Sequence, residues 1–165
     1  MSRTVSPARP EHIECQGCFA LNVVQGPDVL NAVKSRAEED ARQPVVLVVE
    51  DEVLIRGAVA EYLRISGNLV VEAADAAEAI AVFAAGVPID VVFSDIHMPG
   101  TMDGLSLARW VYQHHPAARV VLTSGNADAA RAIQVAELFF SKPYRTAEVA
   151  MRIRLLLAEV RHPDS

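Results

Sequence analysis

Only two cysteines and one tryptophan occur in the 165 residues, and no run of basic residues appears anywhere. Each shortage excludes something. With 15 Lys and Arg against 21 Asp and Glu, and a net charge of -6, the chain lacks the basic patch that a nucleic-acid or anionic-membrane surface requires. Its longest charge-free apolar stretch, residues 79–89, is interrupted by Gly86 and Pro88 and falls short of the ~18 residues of a spanning helix. Arg3 and Arg9 precede no apolar segment, so the N-terminus does not read as a signal peptide. The expectation is a cytoplasmic protein in which Cys15 and Cys18 stay reduced. Two thiolates at this spacing can form half of a zinc site or a redox pair, but there is no second pair and His12 is the only nearby imidazole. Incidental cysteines are the preferred reading. What is present is apolar: 52% of the residues are hydrophobic, enough for a core of one domain.

Residues 1–43 differ from the rest. Pro7, Pro10, Gly17, Gly26 and Pro27 break them up and a charged stretch over 34–42 closes them. They read as a mobile N-terminal extension or one carrying a single helix over 27–41, with Val29, Val33 and Ala37 on one side and Pro27 at its start. From Pro44 the pattern turns regular. Short apolar, β-branched runs predict strands over 45–49, 69–73, 89–94, 119–122 and 138–141. Helical spacing predicts helices over 53–66, 76–85, 104–114 and 127–133, and a last one from Thr146 through Val149 and Ile153. Gly67 suits a helix end, Asp75 and Asp103 suit helix starts, and Pro99-Gly100 marks a turn. Five strands alternating with five helices predict an α/β fold, a doubly wound parallel sheet covered on both faces. Right-handed crossovers then bring the C-terminal ends of all strands to one rim.

At that rim the chain collects Glu50 and Asp51 from the first strand, Asp95 from the third, Thr123 and Ser124 from the fourth and Lys142 from the fifth. Crowded carboxylates repel unless a cation neutralises them. Mg²⁺ is the natural one, being hard and content with one or two carboxylates plus a substrate phosphate. An aspartate can be a phosphoryl nucleophile, and an ammonium and a hydroxyl can share the charge of the transferring oxygens.

In "VVEDE", "SDIHMPG", "MDG", "LTSG" and "FFSKP", in that order and at suitable spacing, residues 44–161 resemble the receiver domain of bacterial two-component response regulators. The resemblance implies a flavodoxin-like, five-stranded parallel sheet in the order 2-1-3-4-5. It implies that Asp95 takes a phosphoryl group from a phosphohistidine of a sensor histidine kinase or phosphotransfer protein. Mg²⁺ would lie on Asp51, Asp95 and the backbone carbonyl of His97, with Glu50 holding a metal-bound water. Lys142 would pair with the phosphoryl group and precede a cis peptide to Pro143. Ser124 fits the switch hydroxyl better than Thr123, because Ser124-Gly125 matches a hydroxyl followed by a small residue. Phe139 fits the aromatic that turns inward on switching, and His97 and Asn126 lie where access of attacking water is tuned. Output would go through a downstream protein target, from a monomer or a phosphorylation-dependent homodimer, with no direct nucleic-acid or membrane contact. Slow autodephosphorylation at most is implied, so the chain is not expected to be an enzyme in the usual sense.

Some features depart from the pattern. Between Ser124 and Lys142 lie residues 125–141, 17 in all and several fewer than usual, which predicts a shortened fourth helix. Asn68 stands where an aromatic commonly packs, which suggests a looser edge at the second strand. The expected receiver leaves only a tail, 162–165, and no output domain. A haloacid-dehalogenase-like, Mg²⁺-dependent phosphatase would also use a strand-end Asp, but its second acid two residues on is here His97. A receiver-like binding module that is never phosphorylated would be expected to lose an acid or the lysine, and neither is lost. Taken singly, Glu50-Asp51-Glu52 could be a solvated first turn, Lys142 a surface residue, Ser124 a turn residue and Asp95 a cap. All four would have to hold at once. His114, His115 and His162 read as exposed helix-end residues, and Trp110 and Tyr112 as helix packing.

Overall fold

A computed structural model describes residues 42–125 and 129–161. The helix expected over 27–41, Cys15 and Cys18, Asn126 and the tail 162–165 lie outside these described residues. Every described element belongs to the unit Asp40–Ser165.

The strands are β1 (Val45–Val49), β2 (Leu69–Ala73), β3 (Val91–Asp95), β4 (Arg119–Ser124) and β5 (Leu138–Ser141). They form one sheet in the order β2-β1-β3-β4-β5, with every pair parallel. Strand β1 is buried at all five positions, as a central strand covered on both faces must be. Its side chains alternate. Val45, Leu47 and Val49 enter one core with Val92, Leu105, Ala108 and Leu122. Val46 and Val48 enter the other with Leu63, Val91, Phe93, Val121 and Ile153. The edge strands depart from the expected two-sided burial: β2 is exposed at Leu69 and Glu72, and β5 at Ser141.

The helices are α1 (Val53–Ile65), α2 (Ala76–Ala84), α3 (Gly104–His114), α4 (Ala129–Ala132) and α5 (Thr146–Arg161). Helix α1 ends on Gly67, whose φ of +93° is the left-handed conformation that glycine adopts without a Cβ penalty. Asn68 supplies a cap instead of an aromatic, its Nδ2 donating to the Leu63 carbonyl at 3.0 Å. Asp75 and Asp103 cap α2 and α3, accepting from the backbone N–H groups of Glu78 and Ser106.

Strands β3 and β4 end later than their hydrophobicity suggests. β3 starts at Val91 and runs through Asp95, and β4 continues to Ser124, with Asp95 opposite Thr123 and Ser124 opposite Ser141. Helix α4 is a single turn, shorter than the expected 127–133. After it Glu137 closes the bottom of β5: its N–H donates to the Val120 carbonyl and its carboxylate accepts from the Val120 N–H at 2.6 Å. His115 is not an exposed helix-end residue. Its ring stacks on Phe83 at 4.3 Å, beside Trp110, which closes the bottom of the α2–α3 packing. His114 is exposed as expected, and Trp110 packs against Phe83. No helix of the described residues is long and apolar enough to cross a membrane.

Candidate functional site

The order β2-β1-β3 means that the chain leaves β1 to one side for β2 and crosses to the other for β3. A crevice opens at the carboxyl ends of strands where the winding reverses in this way. Glu50 and Asp51 leave β1 into it, and Asp95 is the last residue of β3. Glu50 is 1% and Asp95 6% exposed, whereas Asp51 faces solvent. Carboxylate oxygens of the three lie within 4.8 Å of one another.

Lys142, just past β5, reaches across the sheet end to this group. Its Nζ donates to Asp95 Oδ2 at 2.7 Å and to Glu50 Oε2 at 2.8 Å. Its peptide bond to Pro143 is cis, as expected. Burial pushes the Glu50 carboxyl up; the hydrogen bond from Lys142 opposes this, and the charge of Asp95 adds to it. Burial alone would pull the Lys142 ammonium down, but its hydrogen bonds to Asp95 and Glu50 and their charges outweigh that and hold it above its ordinary value. One fixed positive charge therefore faces three carboxylates. The donor set is all oxygen, charged and open on the Asp51 side, which fits a hard divalent ion such as Mg²⁺.

Backbone bonds hold these groups in register. Ile96 N–H donates to Thr123, Gly104 N–H to Ile96, and Lys142 N–H to the Ser124 carbonyl, all within 2.9 Å. His97 N–H points at Asp95 Oδ1 at 3.3 Å. Thr123 and Ser124 are both fully buried, and their side chains take opposite faces of β4. Ser124 Oγ lies 3.1 Å from His97 Nδ1. Thr123 Oγ1 faces the Tyr144 hydroxyl without hydrogen-bond geometry, and burial pushes that phenol up to about 12. Phe139 is half-buried against the core shared with Leu122, and Pro143 is exposed. Of the residues expected here, all but Asn126 are among the described ones.

Sequence reasoning missed Arg56. Its Nη1 donates to the Glu50 carbonyl at 2.5 Å and reaches the Asp51 carbonyl at 3.4 Å, while its Nε faces Glu72 of β2 at 3.6 Å. The guanidinium thus ties down the backbone that carries the two acids. A basic residue one turn into the helix after an acidic loop is the signal that could have found it. The ring contact of His97 and the inward Tyr144 were missed as well; neither leaves a pattern in the sequence.

The family described as response regulator receiver domain matches residues 46–154. Among curated proteins, the transcriptional regulatory protein AruR of Pseudomonas aeruginosa is 33% identical over 132 residues, covering 76% of this chain and 54% of that protein. The aerobic respiration control protein ArcA of Escherichia coli is 30% identical over 118 residues, covering 70% and 49%. The chain thus spans about half the length of these relatives. Among solved structures, the signal receiver domain of an HD domain-containing protein from Pseudomonas fluorescens superposes with a TM-score of 0.68 at 27% identity, covering 74% of this chain and all of that one. The response regulator TrrA of Thermotoga maritima, solved in complex with Mg(2+)-BeF, gives 0.62 at 26% identity, covering 69% and 99%.

Proposed function

The chain belongs to the response regulator receiver family, and on that premise we propose that Asp95 is its phosphoryl acceptor. The observation that carries this reading is the Lys142 ammonium bridging Asp95 and Glu50 at 2.7 and 2.8 Å, with Asp51 alongside. A carboxylate oxygen of Asp95 attacks the phosphorus of a phosphohistidine on a sensor kinase or phosphotransfer protein. The new O–P bond forms as the P–N bond breaks, and the freed imidazole takes a proton. Lys142 neutralises charge on the transferring oxygens, and Ser124 offers its hydroxyl to one of them. Glu50, Asp51, Asp95 and the His97 carbonyl would hold Mg²⁺. When bound, that ion offsets the charge that the acids and the phosphoryl oxygens bring together.

Two states of one element then carry the signal. Ser124 drawn to the phosphoryl group vacates space beside Phe139, which turns inward and changes the surface that a downstream protein reads. An apolar groove of about 540 Å³ between α1 and the loop after β5, lined by Leu54, Ile55, Ala58 and Tyr144 next to Lys142, supports docking of the donor there. The transfer is stoichiometric, with slow loss of the phosphoryl group to water as its only turnover, and its setting is the cytoplasm.

Acetyl phosphate with Mg²⁺ tests this. The wild-type protein gains the mass of one phosphate in an acid-stable, base-labile linkage, and Asp95→Asn gains none. Equal labelling of Asp95→Asn refutes the assignment. Repeated turnover of a generic phosphate ester points to a phosphatase instead.

A further inference from the structure

The imidazole of His97 makes a contact that phosphoryl acceptance does not require. His97 follows Asp95 by two residues on an exposed loop, yet its Nδ1 turns in to 3.1 Å from Ser124 Oγ, which is fully buried. A serine hydroxyl has a single proton and rotates to suit its partners. Whichever of the two groups donates, the contact holds the Ser124 oxygen toward the ring. The Ser124 main chain cannot turn with it, because the Ser124 carbonyl accepts from Lys142 N–H at 2.8 Å inside the sheet. Only the side chain is left to move.

Resting on the reading of Ser124 as the hydroxyl that engages the phosphoryl group, we propose that His97 is a positioning residue for it. Its ring holds the hydroxyl of the unphosphorylated protein and gives it up when a phosphoryl oxygen arrives. Ring and phosphoryl group compete for one hydroxyl, so the strength of this bond is part of the equilibrium between the two states. The ring pays little to leave, since its side chain already faces solvent. The contribution is that of one neutral side-chain hydrogen bond, about a two- to tenfold bias toward the unphosphorylated arrangement.

The probe is beryllofluoride with Mg²⁺, which mimics the phosphoryl group, and the readout is its affinity by fluorine NMR. Wild type, His97→Ala, His97→Phe, Ser124→Ala and the double variant His97→Ala/Ser124→Ala are compared. All keep the backbone carbonyl of residue 97. His97→Ala and His97→Phe are both expected to bind about two- to tenfold tighter than wild type, and the gain from His97→Ala is expected to vanish in the Ser124→Ala background. In the free His97→Ala protein, the NMR signals of Ser124 and the Phe139 ring should move toward their positions in the bound wild type. An equal gain in both backgrounds, a gain with Ala but not Phe, or no gain overturns the inference and leaves the acceptor reading standing. A wild-type protein that takes no beryllofluoride overturns both.

Discussion

Gly104 opens α3 against the backbone that carries the acceptor, and Gly104→Ala is the substitution that tests this packing best. An added Cβ would lie 2.0 Å from the Asp95 carbonyl oxygen and 2.8 Å from both Asp95 C and Ile96 Cα. All three are main-chain atoms, so no rotamer change relieves the overlap. Reaching an ordinary contact of 3.4 Å requires the helix start and the β3 end to separate by about 1.4 Å, the difference between the two distances. The Gly104 N–H bond to Ile96, 2.9 Å long, must stretch with them. Overpacking of this kind, with one weakened hydrogen bond, costs about 2–4 kcal/mol. A misplacement near 1 Å at the reacting oxygen slows labelling by about 10²-fold. Urea unfolding and the rate of labelling by acetyl phosphate read the two effects separately. Gly57→Ala, on α1, is the control: its Cβ meets nothing within 4 Å, so it should stabilise by about 0.5–1 kcal/mol and leave labelling unchanged. A Gly104→Ala protein within about 0.5 kcal/mol of wild type that labels at the wild-type rate refutes the reasoning.

Lys142→Met leaves Glu50 and Asp95 buried without their cation; urea unfolding without metal should show a loss of about 3–5 kcal/mol, and Mg²⁺ should narrow the gap because the folded variant, lacking the competing ammonium, binds it more tightly than wild type. Unchanged stability would contradict the pairing. At Asp103, burial would raise the carboxyl, but the hydrogen bonds from Ser106 and the charges of Arg131 and Arg109 outweigh it and hold it below its ordinary value. Its stabilisation is therefore complete above the ordinary carboxylate value of about 4 and fades as pH falls through the lowered one. The advantage of wild type over Asp103→Asn should be full at about pH 6 and shrink as the pH falls below about 4 in the same assay, and an advantage that grows instead would reverse the assignment. Asp90 accepts from the Val45 N–H at 2.7 Å and from both Nη atoms of Arg42. Asp90→Ala should cost about 2 kcal/mol because it strands a β1 N–H, and Arg42→Ala less than about 1 kcal/mol because its pair with Asp90 is partly exposed; the reverse ranking would show that the ion pair dominates.

Particular residues show how far the sequence could be read. The bounds of β1, β2 and β5 were legible because apolar runs stop there on acids, a cap or Lys142-Pro143. The ends of β3 and β4 were not, because Asp95, Thr123 and Ser124 are polar yet still paired inside the sheet. Hydrophobicity fades where the site begins, so a reading by hydrophobicity stops short at the strands that matter most. The short α4 followed from the spacing of Ser124 and Lys142 alone. The adjacent histidines at the end of α3 look alike in sequence, and only the neighbouring helix, through Phe83, decides that His115 turns inward. Gly104 and the His97–Ser124 contact were invisible for a common reason: each is an approach between a side chain or Cα and a backbone or hydroxyl on another element, and no local pattern encodes it.

The most direct test of the central claim identifies the atom that carries the phosphate. An acyl phosphate is an activated carboxyl group, so borohydride cleaves it and converts the labelled aspartate to homoserine. After labelling with acetyl phosphate and Mg²⁺, peptide mass spectrometry should find homoserine at position 95 and aspartate unchanged at position 51. Homoserine at another position, or none in a protein that has gained phosphate, would contradict the account.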